Sequence, residues 1–507
     1  MICIPIVADN PESALQDMAE ASKVADIIEL RVDYMKNPDL KRLLEGRILP
    51  VIVTNRPVRE GGRFSGNEEE RLALLKRARE LQADYIDVEH DSVQYLCGGT
   101  AHRAPATKTK AIVSYHNFRE TPNDLTNVYQ RLSQSGADII KIVTFANTIT
   151  DNIRIYRLLQ QAEMPTISFC MGEYGMISRI LYKRFGSYLT FASLKTGKES
   201  APGQMNINEL LNTYQIRKQD NHTSIYGLIG NPVSHSISPI IHNTLFREMN
   251  CNGVYVPFKV DNINEFMREF RELHVKGFSV TIPHKQSVMG HINEIDPIAQ
   301  RIGAVNTLLN KDGQLAGFNT DCEAAVKVLE DTIQRSSGSM QGENDALSKN
   351  NLPLKGKNVA LLGAGGAARA IAFGLKERRA LIPIYKRNYG RAQSLARDAG
   401  CLSRKYEDIH SLVADIVINA TPIGMFPKVN ETPLDKSILK PGMVIFDTIY
   451  NPLETKLLQE ARRQGCTVVG GLPMFVRQAA AQFKLWTGQT PSLELIEKVA
   501  LEKLRGA

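Results

Sequence analysis

The sequence contains no C-x-x-C pair and no close grouping of histidine with cysteine, so nothing in it has the spacing of a zinc site. Its seven cysteines (Cys3, Cys97, Cys170, Cys251, Cys322, Cys401, Cys466) stand far apart and are odd in number. That argues against a disulfide framework and for reduced thiols in a cytoplasmic protein. No polybasic tail or block accompanies the net charge of +8. Dispersed positive charge of this kind suits small anionic ligands rather than nucleic acid. The opening MICIPIVADN is apolar for only a few residues before Asp9, so neither a signal peptide nor a membrane span is expected there. An Arg- and Ser-rich transit segment is also missing, and so is any internal repeat of fixed period.

What is present is a long, ordinary globular composition: 507 residues, 43% hydrophobic and 23% charged, more chain than two average domains need. From residue 1 to about 204, β-rich runs alternate with helical patterns such as EEERLALLKRARELQ. Eight runs qualify as strands: ICIPIV, DIIELRVD, PVIVTNR, YIDVEH, AIVSYH, IIKIVT, PTISFC and YLTFA. Eight β/α units in roughly 200 residues predict an α/β chain opening with a (β/α)8 TIM barrel at the short end of its range. Glu29, Arg31, Arg56, Glu89, His116 and Lys141 lie in or at the C-terminal halves of these runs. In such a barrel those ends converge on one mouth, where chemistry is done.

Lys141 stands inside the apolar run GADIIKIVTFANT. One reading is a strand end whose amine reaches water. The other is a desolvated amine, made nucleophilic at neutral pH by a lowered pKa. Five further polar residues around the same ring favour the second.

After a helical stretch and a polar linker (MNINELLNTYQIRKQDNHTS), a second alternation runs through IYGLIGNP, GVYVPFKV, GFSVTIPHK and GAVNTLLN to a helix from about Asp321. The insert RSSGSMQGENDALSKNN, near 335–352, reads as a loop or interdomain segment. A third unit opens with NVALLGAGGAARA, a strand, a glycine turn and a helix start in G-x-G-x-x-A form. Its turn, Gly363, Ala364, Gly365, Gly366 and Ala367, lets backbone approach a pyrophosphate at the positive end of the helix. The next strand, LIPIYKRN, ends in Lys386 and Arg387, where an NAD site would place an acid on the ribose 2′-hydroxyl. A cationic fork suits a 2′-phosphate, so NADP is expected.

The second and third units resemble shikimate dehydrogenase. GNPVSHSISPIIHN is similar to that family's substrate loop, which implies that Ser236 and Ser238 hold the substrate carboxylate, although the same serines could cap a helix before Pro239. VTIPHK implies a catalytic Lys285 beside Thr281, and GAVNT and GFNTD imply Asn306 and a catalytic Asp321. INATPIGM and GGLPMFVRQAAAQFKLWTG imply Thr421, Gly471 and Met474 on the nicotinamide side and Gln478 on the substrate; Tyr450 in DTIYNP would form a pocket wall. The barrel resembles type I 3-dehydroquinate dehydratase. IELRVD carries Glu29 and Arg31, TNRPVREGG carries Arg56 and Glu60, SYHNF the catalytic His116, GADIIKI the Schiff-base Lys141, MGEYGMISRI the carboxylate-binding Arg179, and ESAPGQ a lid with Ser200 and Gln204. Two departures are visible: Leu30 where tryptophan is common, and Lys386-Arg387-Asn388 in place of Asn-Arg-Thr.

Together these resemblances imply the fused bifunctional family, whose first product, 3-dehydroshikimate, is the substrate of its second half. The implied organisation is a dehydratase barrel over 1–210, a substrate domain over 224–330, a Rossmann NADP domain over 354–475 and closing helices over 476–507. The implied mechanism has Lys141 form an imine with 3-dehydroquinate. His116, titrating near neutrality, moves the protons, with Glu60 orienting it and supporting its cationic form. NADPH then serves reduction to shikimate, with Lys285 and Asp321 as the acid–base pair. Neither nucleic acid nor membrane is an expected partner. Two rivals stand beside this reading: an aldolase-type barrel fused to an NAD-dependent quinate dehydrogenase, and a catalytically dead regulator on the same folds. TNRPVREGG, ESAPGQ and the Lys386-Arg387 pair argue against the first, and the presence of Lys141, His116, Lys285 and Asp321 against the second.

Overall fold

A computed structural model describes residues 1–96, 108–234, 236–336 and 353–506. Cys97 and nearly all of the polar insert lie outside the described residues. The chain forms two compact units, Met1–Ile225 with Asn252–Leu273, and Tyr226–Cys251 with His274–Ala507.

The first unit is built on eight parallel strands: β1 (Ile2–Ile6), β2 (Ile27–Arg31), β3 (Val51–Thr54), β4 (Tyr85–Glu89), β5 (Lys110–His116), β6 (Ile139–Phe145), β7 (Thr166–Met171) and β8 (Thr190–Phe191). Their order is β7-β6-β5-β4-β3-β2-β1-β8. Tyr188, just before β8, donates its N–H to Thr166 O at 2.8 Å, which brings the two ends of the ladder together. Strands buried on both faces read as continuous apolar runs, as in β6. The helix Glu68–Glu80 shows why the connections fold locally. Asn67 accepts a hydrogen bond from Glu70 N, three acids fill the first turn, and Arg77 and Arg79 end it.

Side chains alternate across each strand, so residues two apart share the barrel interior. The lowest interior layer is apolar: Cys3, Ile27, Ile52, Ile112, Ile139, Ile167 and Leu189 pack in one cluster. Two residues further along β2, β3, β5 and β6 stand Glu29, Thr54, Ser114 and Lys141, with Asp87 of β4 two residues beyond Tyr85, all five buried. The polar site thus rests on a dry apolar floor.

The chain then runs through β9 (Ser224–Gly230), contributes β10 (Gly253–Lys259) and the helix Ile263–Glu269 to the first unit, and continues in the second. There β11 (Gly277–Val280), β12 (Glu294–Ile295), β13 (Thr307–Lys311) and β14 (Gln314–Phe318) follow β9 in the order β9-β11-β13-β14-β12. A separate parallel sheet holds β15 (Val359–Leu362), β16 (Pro383–Lys386), β17 (Leu402–Lys405), β18 (Ile416–Asn419), β19 (Val444–Asp447) and β20 (Thr467–Val469). Its order is β17-β16-β15-β18-β19-β20. Counted from β15 this is 3-2-1-4-5-6, the doubly wound Rossmann arrangement, with the crevice beside the first strand. Among the described residues no helix is long and apolar enough to cross a membrane.

Candidate active sites

The barrel mouth gathers nine side chains singled out from the sequence. Glu29, Arg31, Arg56, Glu60, His116, Lys141, Arg179, Ser200 and Gln204 all line one solvent-open space of about 460 Å³. Lys141 is 5% exposed. Its Nζ faces Asp87 Oδ2 at 2.8 Å and Glu29 Oε1 at 3.4 Å, and lies 4.6 Å from the centre of the Phe191 ring. Glu29 Oε1 also accepts from Thr54 Oγ1. Arg56 pairs with Asp87 at 2.7 Å and Glu89 at 2.6 Å, and Arg71 pairs with Glu89 at 2.5 Å. Arg31 makes a two-pronged bond to Asp33.

Arg179 is different. It is buried against the Phe169 ring, and its Nε and one terminal nitrogen have no hydrogen-bond partner among the described residues. Burial without a carboxylate pulls its guanidinium down to about 10. Gln204 Nε2 is likewise buried without an acceptor, while its Oε1 is taken by Ser200 N and Oγ. Buried donors beside a cavity are what an anionic ligand satisfies.

His116 Nδ1 lies 2.9 Å from Glu60 Oε2. The expected titration of His116 near neutrality does not describe this pair. Burial, reinforced by the cations Arg56 and Lys141, pushes His116 well below its ordinary value. Burial, aided by Glu89 and Asp91 against Arg56, pushes Glu60 up to about 7. Both groups are driven toward neutral forms because they are buried. His116 therefore rests as a base, and Glu60 can carry a proton at physiological pH.

Asp87, Ser114 and Arg71 were not singled out from the sequence. The spacing of Asp87 and Glu89 in YIDVEH, two apart on an otherwise apolar strand, was the available signal. Burial opposes ionisation of Asp87, but Arg56 and Lys141 outweigh it and hold the carboxyl well below the usual carboxylate range.

In the second unit, the turn after β11 carries Lys285, whose Nζ meets Asp321 Oδ2 at 2.5 Å. Asp321 begins the helix Asp321–Ser336, and its N–H and that of Cys322 donate to Asn319 Oδ1. Asn306 is 2% exposed; its amide donates to Thr320 Oγ1 and its carbonyl accepts from Thr320 N and Thr307 Oγ1. Ser238 is the first residue of the helix Ser238–Glu248, whose N-cap residue, Ile237, makes no side-chain bond. Ser236 Oγ accepts from Ser238 N at 3.2 Å and also bonds Tyr450, whose phenol burial pushes up to about 12. Tyr450 packs on Phe475, and Gln478 Nε2 donates to Phe475 O. Half-buried Thr281 bonds Ile229 O through its backbone. Gln482 was overlooked, though it lies one turn beyond Gln478. It is 2% exposed, accepts from Ser279 Oγ and donates to Asn306 O and Thr307 Oγ1, tying the closing helix to β11 and the start of β13.

The glycine turn follows β15. Gly363 has φ 120°, where a side chain is strained, and a Cβ there would lie 2.8 Å from Ala420 O. Around Gly365 a Cβ would meet nothing within 4 Å, leaving open space at the start of the helix Gly366–Glu377. No side chain caps that helix, so its first amides can serve a phosphate. A Cβ on Gly366 would press on Lys285 Cδ at 2.9 Å, so the turn abuts the lysine. Ala364 and Ala367 are half-buried, and Ala368 is buried. Lys386 ends β16, Arg387 follows with its guanidinium 5.7 Å over the Tyr406 ring, and Asn388 caps the helix Tyr389–Ala399. Thr421 donates to Asn419 Oδ1 through both N–H and hydroxyl, and Asn419 donates to Asp447. Gly471 precedes the helix Leu472–Thr487, in which Met474 is buried. This set fits a dinucleotide with a 2′-phosphate: an open glycine turn, free helix amides and two cations at the end of the second strand.

Residues 2–221 match the family model for type I 3-dehydroquinase, residues 228–308 that for the shikimate dehydrogenase substrate binding domain, and residues 471–501 that for the shikimate 5'-dehydrogenase C-terminal domain. A bifunctional 3-dehydroquinate dehydratase/shikimate dehydrogenase of Arabidopsis thaliana, named chloroplastic, is 42% identical over 507 residues, covering 98% of this chain and 83% of the relative. A shikimate dehydrogenase (NADP(+)) of Bacillus cereus is 40% identical over 301 residues, covering 56% of this chain and 99% of that protein. A solved shikimate dehydrogenase in complex with NADP+ is similar with TM-score 0.51 and 38% identity, covering 56% of this chain and 97% of that one. The chain belongs to the family of bifunctional 3-dehydroquinate dehydratase/shikimate dehydrogenases.

Proposed function

We propose that the barrel cavity dehydrates 3-dehydroquinate through an imine on Lys141, and that the second unit reduces the product, 3-dehydroshikimate, to shikimate. The observation that carries the first half is the convergence of Lys141, the His116–Glu60 pair and an unpaired Arg179 on one cavity. Lys141 Nζ attacks the C3 carbonyl carbon; the carbonyl oxygen is protonated and leaves as water, giving an iminium. Neutral His116 takes the C2 proton, and the electron pair moves toward nitrogen. The imidazolium returns that proton to the C1 hydroxyl, which leaves as a second water. A water then hydrolyses the iminium and frees Lys141, so the net loss is one water. Arg179 and Gln204 hold the carboxylate, with Ser200 fixing Gln204; Glu29, Arg31 and Arg56 complete the substrate contacts.

In the second unit, NADPH, when bound, supplies the hydride to the ketone carbon of 3-dehydroshikimate. Gly363, Ala364, Gly365, Gly366 and Ala367 would receive its pyrophosphate, Lys386 and Arg387 its 2′-phosphate, and Thr421, Gly471 and Met474 would lie on the nicotinamide side. Ser236 and Ser238 hold the substrate carboxylate beside Tyr450. Thr281, Asn306 and Gln478 position its hydroxyls. The Lys285–Asp321 pair delivers a proton to the carbonyl oxygen. We assign the dehydratase to 1–210, the substrate domain to 224–330, the NADP domain to 354–475 and the closing helices to 476–507. We also place the protein in the cytoplasm, supported by six free thiols among the described residues; recovery in an organelle fraction would contradict that.

The test is borohydride reduction in the presence of 3-dehydroquinate, followed by peptide mass mapping. A covalent adduct on Lys141 is expected. An unmodified Lys141 would end the proposal.

A further inference from the structure

Asp87 is the acceptor nearest the nitrogen that this reading makes reactive. It is 1% exposed. Its Oδ2 lies 2.8 Å from Lys141 Nζ and 2.7 Å from an Arg56 terminal nitrogen, and its Oδ1 accepts from Ser114 Oγ at 2.7 Å. Glu29, the other carboxylate on Lys141, is farther at 3.4 Å and its facing oxygen is shared with Thr54.

Resting on the imine reading above, we propose that Asp87 is a catalytic residue of dehydration, the fixed counter-anion of the protonated imine on Lys141. The reasoning follows the nitrogen through the cycle. As an ammonium it has three N–H bonds; as an iminium it is planar, bonded to Cε, to the substrate carbon and to a single hydrogen. That one N–H takes the nearest acceptor, Asp87. With Cε and Asp87 fixed, the substrate carbon occupies the remaining in-plane direction, which sets the orientation of the C=N bond relative to His116. The positive charge on nitrogen makes the C2–H bond acidic, and it must survive in a site whose other nearby cations, Arg56 and Arg179, disfavour it. A buried anion 2.8 Å away is the group that opposes them. The charge disappears when C2 loses its proton to His116 and returns when the C1 hydroxyl departs. Asp87 stays ionised throughout, because Arg56 pins the same oxygen, and no proton has to reach it.

The experiment compares wild type with Asp87→Asn in the full chain, using three readouts: dehydration of 3-dehydroquinate, borohydride-fixed adduct on Lys141, and NADPH-dependent reduction of 3-dehydroshikimate. Loss of preorganised charge stabilisation predicts a fall in dehydration kcat of about 100-fold or more. Adduct formation is expected to slow with it and to recover partly between pH 8 and pH 6, as solvent protonates the imine. Reduction of 3-dehydroshikimate should stay at the wild-type rate, which reports that the chain is folded. Dehydration within about threefold of wild type overturns the proposal, as does adduct formation that is slow but indifferent to pH. A wild-type protein with no adduct on Lys141 overturns the imine reading itself. Should D87N lose both activities, Ser114→Ala decides, since it removes a donor to Asp87, together with an acceptor for Arg56, and leaves both ion pairs. Dehydration lowered at least threefold with reduction intact is then expected, and unchanged dehydration overturns the assignment.

Discussion

Replacing Glu60 by glutamine should stabilise the first unit at high pH while impairing it as an enzyme. Glu60 is pushed from 4.5 to about 7. Below about pH 4.5 it is protonated in both folded and unfolded chains and contributes nothing to pH dependence. Between there and pH 7 the unfolded chain has released the proton and the folded one has not, so stability falls as pH rises. The penalty is complete above about pH 7. At about 1.36 kcal/mol per pH unit it amounts to at most about 3.4 kcal/mol. The Glu60 side chain is 18% exposed, and water screens part of that, leaving about 2 kcal/mol. The substituted amide keeps an oxygen for His116 Nδ1 and carries no charge. Part of that penalty is already present at pH 5, so the stability gain of the variant over wild type should be about 1.5 kcal/mol larger at pH 8 than at pH 5. Urea unfolding read by pulse-labelled exchange of β6 amides confines the measurement to the barrel. Dehydration should fall at least about 10-fold, because glutamine cannot exchange a proton with the imidazole. A gain of equal size at both pH values, or one larger at pH 5, would refute the charge assignment of the pair.

Arg179→Ala removes a buried cation with two nitrogens that have no hydrogen-bond partner among the described residues, so stability should hold or rise while kcat/KM for 3-dehydroquinate falls about 10- to 100-fold, measured by steady-state kinetics and melting. Gly366→Ala places a methyl 2.9 Å from Lys285 Cδ; reduction should lose about 10-fold in kcat/KM with dehydration unchanged. Lys386→Ala with Arg387→Ala should lower the preference for NADPH over NADH at least about 10-fold, read from kcat/KM for each nucleotide, without changing KM for 3-dehydroshikimate.

The elements with strong periodicity were legible. The eight barrel strands follow from alternating runs, and the β15 turn follows from its glycines. Strands β14, β17 and β20 were not, being short and in β17 largely exposed, so no apolar pattern marks them. The cluster at the barrel mouth could be anticipated because strand ends converge. Asp87 hid in plain view, since a carboxylate two residues before Glu89 is ordinary until Lys141 is placed opposite it. Arg71 could not be found, because it reaches Glu89 from the helix Glu68–Glu80, a contact made only by tertiary packing. The shifts of His116 and Glu60 toward their neutral forms were not legible for the same reason. Burial sets them, and burial is a property of the assembled ring.

The most direct measurement supplies the pure chain with 3-dehydroquinate and NADPH and follows NADPH absorbance. Steady consumption is predicted for wild type. Lys141→Ala should abolish it, with consumption restored by adding 3-dehydroshikimate, whereas Lys285→Ala should abolish it with either substrate. Absence of consumption by the wild-type chain, or undiminished consumption by Lys141→Ala, would contradict two sequential reactions at these two sites.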